Sequence, residues 1–286
     1  MRIGSRADTP PWNEPWPGKK ILAERFPGVN AARPETPPPM SEERLQHEIE
    51  HGRFLVEHGP GEVWNWDRPA GKRRWARRVQ MLSAGLEPGM DVLELGCGSG
   101  YFTRELIKTG ARITAIDISP DLLELARRAA PDPNVTFLAE NAYAMSFADS
   151  RFDAVIGISV LHHLEIEKGL AEVFRVLKPG GIICFTEPNM MNPQIAVQKN
   201  IPAIKRMMGD SPDETAFFRW GLASRLHRHG FTMIDVRPFD FLHPNIPGGL
   251  VPAVEGFCNA LENVPLVREI AGSLYIRARK PAQAKS

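Results

Sequence analysis

Short apolar runs alternate with amphipathic stretches along most of the chain. The runs predict strands at 91–95, 112–117, 134–138, 152–158, 180–186, 232–240 and 273–279. Most of the gaps between them carry helical spacing, and the clearest of these helices covers 216–229. Strands that alternate with helices in this way are typical of a doubly wound α/β sheet.

The first 85 residues precede this alternation. Residues 1–40 carry nine prolines, which predicts a proline-rich arm without regular structure. Residues 41–85 predict N-terminal helices that cover the ligand site, one beginning near Ser41 and another running from about 69 to 84.

Two insertions interrupt the remaining domain, which spans 86–281. They cover 188–215 and 242–271, and each is either a lid over a substrate pocket or ordinary packing onto the sheet. In the first insertion, a helix that Pro202 bends is predicted to place four apolar side chains on one face: Val197, Ile201, Ile204 and Met208.

Two polar patterns in the N-terminal helices have simple explanations. Residues 47–51 match the zinc motif H-E-x-x-H, but helical spacing puts His47, His51 and His58 opposite the apolar face. We expect these histidines to meet solvent, and we predict no metal site. The basic stripe from Arg68 to Arg78 is either a solvated helix face or a contact for phosphate or an acidic partner.

Composition narrows the class of protein. The 286 residues are 43% hydrophobic, and the net charge of +1 argues against bulk nucleic-acid binding. The three cysteines are too scattered for a disulfide framework or a zinc knuckle. No signal peptide or spanning apolar run is evident, so we expect a cytoplasmic protein.

A glycine-rich turn is the most informative local motif. The apolar run from Val92 to Leu95 ends in Gly96-Cys97-Gly98-Ser99-Gly100. Glycine permits a sharp turn and lets a ligand touch the main chain. The spacing is G-x-G-x-G and not the dinucleotide fingerprint, which favours a nucleoside ligand that lacks a pyrophosphate.

Polar residues follow the other predicted strands as well. Asp117 ends the second strand, Asn141 follows the third, His162 and His163 follow the fourth, and Glu187 ends the fifth. Ligands bind beyond the carboxyl ends of such strands, so we expect all of these residues at one edge of the sheet. They predict a single binding site.

Two carboxylates near the glycine turn have distinct predicted roles. Asp117 lies about twenty residues beyond the turn, where a carboxylate can accept both hydroxyls of a ribose. Ser119 can cap the following helix, which leaves Asp117 for the ligand. Glu94 could accept a hydrogen bond from an amino group or form a salt bridge.

Taken together, these motifs resemble class I S-adenosylmethionine-dependent methyltransferases, and within them the bacterial small-molecule branch that includes quinone C-methylating enzymes. The resemblance covers about 90–190 in order and in register. It rests on the glycine turn, Asp117, Asn141-Ala142, the segment from Phe152 to Leu164 and Leu177-Lys178-Pro179-Gly180-Gly181.

The resemblance implies a Rossmann-like, seven-stranded sheet whose last strand is antiparallel between its neighbours. It implies that the glycine turn holds the methionine part of S-adenosylmethionine and Asp117 the ribose, while Asn141 and Ala142 hold the adenine edge. Asn141 departs from the family, which more often has Asp there. The candidate cofactor-binding residues are Glu94, Gly96, Cys97, Gly98, Gly100, Asp117, Ile118, Asn141, Ala142 and Ser159.

Methyl transfer to a hydroxyl or an acidic carbon needs a base as well as alignment. His162 and His163 are the first candidates because histidine titrates near neutral pH, although a histidine at this junction can also simply pack or cap. Glu187 and His243 are further candidates.

We expect a small, apolar methyl acceptor that is modified on oxygen or carbon. No Asn/Asp-Pro-Pro-aromatic run follows the fourth strand, and no aromatic-basic platform suggests nucleic acid. Two alternatives stay open: an RNA- or protein-modifying methyltransferase that uses the basic stripe, and a noncatalytic cofactor-binding subunit. A homodimer is possible.

Overall fold

A seven-stranded sheet forms the centre of the computed structural model, which describes residues 42–59 and 65–283. The strands are β1 (Asp91–Leu95), β2 (Arg112–Asp117), β3 (Val135–Ala139), β4 (Phe152–Ile158), β5 (Leu177–Pro188), β6 (Thr232–Phe239) and β7 (Ser273–Arg279). Their order is β3-β2-β1-β4-β5-β7-β6. Strands β1 to β5 pair in parallel, and β7 is antiparallel to both β5 and β6. The predicted doubly wound sheet with an antiparallel last strand is confirmed.

Helices connect the strands and cover both faces of the sheet. They are α1 (Glu42–His58), α2 (Pro69–Ser83), α3 (Thr103–Leu106), α4 (Pro120–Ala129), α5 (Ile166–Val176), α6 (Pro193–Asn200), α7 (Pro202–Met207), α8 (Arg219–Arg228), α9 (Val251–Glu262) and α10 (Pro265–Arg268). The proline-rich arm and Ser41 lie outside the described residues.

Both faces of the sheet are buried because successive side chains point to opposite sides. On one face Leu93 and Val155 pack with Leu170 of α5 and Leu222 of α8. The opposite face joins a second set of strand residues to α2, α3 and α4: Val92, Ile113, Ile156, Leu82, Leu106 and Leu123. Continuous apolar runs therefore predicted the strand positions well.

The first insertion differs from its predicted helix. Pro202 separates α6 from α7, and the two short helices do not present one common buried face. Val197, Ile201 and Met208 are 48%, 44% and 49% exposed. The predicted bend at Pro202 is a break between two helices, and the predicted apolar side chains do not form a buried face.

The basic stripe on α2 points partly inward. The Arg74 and Arg78 guanidinium groups contact Asp240 Oδ2 at 2.8 and 2.7 Å, and Arg77 pairs with Glu262 of α9 at 2.6 Å. Burial alone would raise the pKa of Asp240, but the two arginines outweigh it and hold that pKa at about 2. For these three arginines, a solvated face is the wrong interpretation, since they tie α2 to the second insertion and the segment before it.

Within the described ranges, no helix combines the length and the apolar character that crossing a membrane requires.

Candidate functional site

A cavity of about 230 Å³ lies beyond the carboxyl ends of the parallel strands. The turn after β1 and the residues that follow β2, β3 and β4 form its floor, and α1 and α2 contribute side chains to its walls. All but one of the predicted cofactor-binding residues line it: Glu94, Gly96, Cys97, Gly98, Asp117, Ile118, Asn141, Ala142 and Ser159. Sheet topology brings these separate segments together, as the strand-end rule predicts.

The glycine turn has the backbone that its sequence predicts. Gly96 and Gly98 have φ values of +67° and +52°, in the left-handed region that side chains disfavour. A Cβ at Gly96 would lie 2.5 Å from Val160 Cγ2, whereas a Cβ at Gly98 would meet nothing within 4 Å. Gly98 therefore offers bare main chain to the cavity. Gly100 instead approaches Ala126 of α4 and does not line the cavity.

Asp117 is oriented by backbone amides. Its Oδ2 accepts a hydrogen bond from Gly98 N at 2.8 Å, and its Oδ1 accepts one from Ser119 N at 2.9 Å. Ser119 Oγ accepts from Leu122 N, which confirms Ser119 as the cap of α4. Burial raises the pKa of Asp117, although the amides oppose this effect. The carboxylate keeps lone pairs for hydroxyl groups of a ligand.

Glu94 reaches the same cavity from β1. It is 2% exposed, and its Oε2 accepts a hydrogen bond of 2.7 Å from the Thr103 hydroxyl. Burial, with a contribution from the Asp117 charge, raises the pKa of Glu94 to about 8. A positively charged amino group beside Glu94 would favour its ionised form.

Asn141 combines a structural contact with its place on the cavity wall. Its Oδ1 accepts a hydrogen bond from Tyr143 N at 3.0 Å, which forms a local turn after β3. An amide oxygen has two lone pairs, so this contact leaves one for a ligand. The Tyr143 hydroxyl accepts from Glu165 N and fixes the adjoining wall.

Aromatic side chains form a wall that the sequence did not predict. Trp66 and Trp75 have ring centroids 5.3 Å apart, and Trp75 meets Tyr101 edge-on at 4.6 Å. All three line the cavity together with Phe102. The wall joins α2 to the segment after the glycine turn, two regions whose proximity no local pattern reveals.

Helix α1 places His51 on the cavity wall, contrary to its predicted solvated position, whereas His58 is exposed as predicted. Glu48 and His51 line the cavity, and His47 Nδ1 lies 2.8 Å from Asp213 Oδ2. Gly52 lets α1 approach α4 closely, since a Cβ there would lie 2.6 Å from Ser119 Oγ. Local periodicity does not distinguish His51, which lines the cavity, from His58, which is exposed.

The inner end of the cavity adjoins a histidine–glutamate cluster, made of Glu48, His51, His162, His163 and Glu214. His163 Nδ1 lies 2.8 Å from Glu48 Oε2 and 3.8 Å from Glu214 Oε1. His51 Nε2 lies 3.9 Å from Glu214 Oε1, and His162 Nε2 lies 3.7 Å from Glu214 Oε2. Glu48, His51 and His163 line the cavity, while His162 is buried behind them.

Glu187 contacts this cluster through His162 and the backbone of the turn that precedes it. Its Oε1 accepts from Val160 N and Leu161 N at 3.0 and 2.8 Å, and its Oε2 contacts His162 Nδ1 at 2.7 Å. Burial alone would lower the pKa of His162, but its contacts with Glu187 and Glu214 raise that pKa to about 9. Glu187 does not line the cavity, so its geometry suits it to positioning the turn and His162.

His243 lies elsewhere. Its side chain is exposed, Nδ1 accepts a hydrogen bond from Asn245 N, and it does not line the cavity. Among the described residues that line the cavity, none belongs to 188–215 or 242–271. The first insertion still reaches α1, because Ser211 Oγ donates to Glu48 Oε1 at 2.8 Å.

Comparisons with known proteins agree with this geometry. Residues 93–185 match the profile of a family described as methyltransferase domain. A demethylmenaquinone methyltransferase of Renibacterium salmoninarum is 29% identical over 65% of this chain and 81% of its own length. A 2-methyl-6-phytyl-1,4-hydroquinone methyltransferase of Synechocystis is 31% identical over 64% of this chain and 63% of its own.

A solved structure shares the fold. The N-methyltransferase NodS from Bradyrhizobium japonicum, in complex with S-adenosyl-L-homocysteine, superposes with a TM-score of 0.57 at 18% identity. The match covers 82% of this chain and 99% of that one. At this identity the similarity concerns the architecture of the domain.

Proposed function

Because the chain belongs to the class I S-adenosylmethionine-dependent methyltransferases, we propose that it methylates an oxygen or an acidic carbon of a small, mainly apolar acceptor. One observation carries the proposal. A single cavity joins the glycine turn and Asp117 to an aromatic wall and, at its inner end, to the histidine–glutamate cluster.

The residues present fit the donor. The open main chain at Gly98 suits the methionine part, and the buried Asp117 carboxylate suits the ribose hydroxyls. Asn141 and Ala142 lie where the adenine edge is expected. When bound, S-adenosylmethionine supplies a methyl group that is already activated, and its sulfur leaves as a thioether with the electron pair of the broken C–S bond.

The cavity walls favour an apolar acceptor. Leu45, Leu55, Trp66 and Trp75 present carbon surfaces to the cavity. The names of two relatives mention demethylmenaquinone and a phytyl-hydroquinone, both of which combine a ring oxygen with an apolar tail. We propose an acceptor of this quinol or phenol type.

The acceptor must also lose a proton. Its nucleophilic atom forms the new bond to carbon with its own electron pair, and the released proton passes to the histidine–glutamate cluster and then to solvent. Glu48, His51 and His163 line the cavity, which supports a role for the cluster in accepting that proton. A base positioned in this way contributes on the order of 10²- to 10⁴-fold in rate.

The alternative RNA-modifying function has less support. It needs the basic stripe as a free phosphate contact, but Arg74, Arg77 and Arg78 already pair with carboxylates of the same chain. The noncatalytic alternative leaves the cluster at the inner end of the cavity without a role.

Label transfer tests the proposal directly. The full chain is incubated with methyl-labelled S-adenosylmethionine and a panel of acceptors: quinols with and without an isoprenoid tail, simple phenols, aliphatic amines and tRNA. We expect label in the quinol or phenol product, and less label with an Asp117→Asn variant when the donor is below saturation. Donor binding without transfer to any of these acceptors, or transfer to tRNA alone, would contradict the proposal.

A further inference from the structure

The histidine–glutamate cluster contains atoms that face one another without forming ordinary hydrogen bonds. His162 Nε2 and Glu214 Oε2 are 3.7 Å apart, and His163 Nδ1 and Glu214 Oε1 are 3.8 Å apart. One ligand atom from each of these three residues lies within 4.8 Å of the others. Two ligands of one tetrahedral zinc ion, each about 2.0–2.1 Å from the metal, are separated by roughly 3.3 Å. The spacing is therefore close to that of a metal site.

Helix α1 adds two more donor atoms to this group. His51 Nε2 lies 3.9 Å from Glu214 Oε1, and Glu48 Oε2 lies 2.8 Å from His163 Nδ1. The His163 Nδ1 atom is buried, and its short contact with Glu48 lacks the geometry of a hydrogen bond. Five nitrogen- and oxygen-bearing side chains from three separate segments thus converge on one point.

The orientation of His162 is also that of a metal ligand. Glu187 holds its Nδ1 at 2.7 Å and is itself fixed by backbone amides, so Nε2 points toward Glu214. Histidines that bind metals usually donate their other ring N–H to a carboxylate in this way.

The charges around the cluster leave room for a cation. Glu48, Glu187 and Glu214 are carboxylates, and Asp210 lies near them. Lys199 contacts Glu214 Oε2 at 2.5 Å and Asp210 Oδ2 at 2.9 Å. Lys205 Nζ donates to the carbonyl oxygen of Glu214 at 2.6 Å, and the Arg44 guanidinium donates to that of His163 at 2.6 Å. The four carboxylates therefore outnumber these three cationic side chains by one.

We propose that this cluster binds one divalent transition-metal ion of the zinc class beside the methyl-transfer cavity. His162, His163 and Glu214 are its central ligands, and His51 completes the set from α1. Imidazole and carboxylate together suit zinc, cobalt and related ions. If the proposed function also holds, the ion sits where it can bind an acceptor oxygen and lower the pKa of its hydroxyl.

Metal titration of the full, untagged chain tests this inference. After dialysis against a chelator, the protein is titrated with Zn²⁺ in a calorimeter and with Co²⁺ in a visible spectrophotometer. We expect one ion per chain and cobalt absorption bands that indicate nitrogen and oxygen ligands. His51→Ala should weaken zinc binding by at least about tenfold, while the matched control His58→Ala, an exposed histidine on the same helix, should leave it unchanged.

Glu214→Gln provides a second variant, and circular dichroism checks that each variant is folded. His51 is only partly buried, so we expect its alanine variant to fold. That variant tests the metal site if the Glu214 variant does not fold. Absence of saturable Zn²⁺ and Co²⁺ binding, or binding that His51→Ala leaves intact, would overturn the metal site. Label transfer by chelated, metal-free protein at the full rate would overturn its role in catalysis and leave the methyltransferase function standing.

Discussion

The two ends of the cavity are built in different ways. At the donor end, Gly96, Gly98 and Asp117 lie within about twenty residues of one another. The conformation of the glycine backbone shapes this end of the cavity. At the inner end, Glu48, His163 and Glu214 come from segments that are far apart in the chain. A contiguous motif can be identified from local rules, whereas a cluster of distant side chains depends on how helices pack.

The same contrast separates the two chemical tasks. At the donor end, backbone amides fix the Asp117 carboxylate beside the glycine turn. The inner end brings the titratable side chains Glu48, His51 and His163 to the cavity wall. We therefore expect changes at the donor end to alter binding and changes at the inner end to alter the rate.

Replacing His163 with alanine should produce the largest effect. Turnover should fall by about 10²- to 10⁴-fold because the group that handles the acceptor proton is lost, whether it acts directly or through a bound ion. Donor affinity, measured by calorimetry, should stay within about twofold of the wild type. His227→Ala, an exposed histidine on α8, is the control. Equal turnover in the His163 variant and the wild type would leave alignment alone as the source of catalysis.

Replacing Asp117 with alanine should lower donor affinity more than turnover, the reverse of the His163 variant. Donor affinity should fall by more than about tenfold, since a hydrogen bond to a charged group contributes roughly 1.5–3 kcal/mol. Turnover at saturating donor should change less than affinity does. Glu124→Ala, an exposed acid on α4, controls for charge. Unchanged calorimetric affinity would remove Asp117 from the site.

Replacing Glu94 with glutamine should produce the smallest of these effects. The effect is on the free energy of unfolding, and its size should depend on pH. Its pKa is raised to about 8 in the folded chain, above the usual value near 4.5, so the stabilisation from its protonated form is lost as pH rises through about 8. Between pH 6 and pH 7.5 the donor-free wild type should lose about 2 kcal/mol of unfolding free energy relative to Glu94→Gln.

Denaturant unfolding at several pH values measures this difference. His162, whose pKa is raised to about 9, changes stability in the same direction, but it is common to both proteins and cancels in the comparison. Parallel pH profiles for the wild type and the Glu94 variant would show that Glu94 is already ionised in the donor-free chain.

Sequence patterns predicted most of the sheet but less of the surface that covers it. The bounds of β1, β2, β4 and β7 agree residue for residue with the apolar runs. The predicted solvated face of α1 was wrong for His51, which lines the cavity, and is confirmed for His58, which is exposed. The predicted free stripe on α2 was wrong in part, because Asp240 and Glu262 are distant acids that no helical pattern reveals.

The same limit applies to the candidate bases. Adjacent histidines after β4 looked equivalent in the sequence, but the turn at Leu161–His163 sends His163 to the cavity and His162 behind it. Glu187 looked like a base at a strand end, yet its two oxygens are occupied by backbone amides and His162. Their roles as bases stay predictions.

The sequence alone determined the strand positions, the glycine turn and the carboxylate that follows the second strand, because each depends on neighbouring residues and on the two-residue period of a strand. Tertiary structure alone decided the aromatic wall, the inward face of α1 and the histidine–glutamate cluster. Those features depend on contacts between distant segments, such as His47 and Asp213, which are 166 residues apart, and local periodicity carries no information about such contacts.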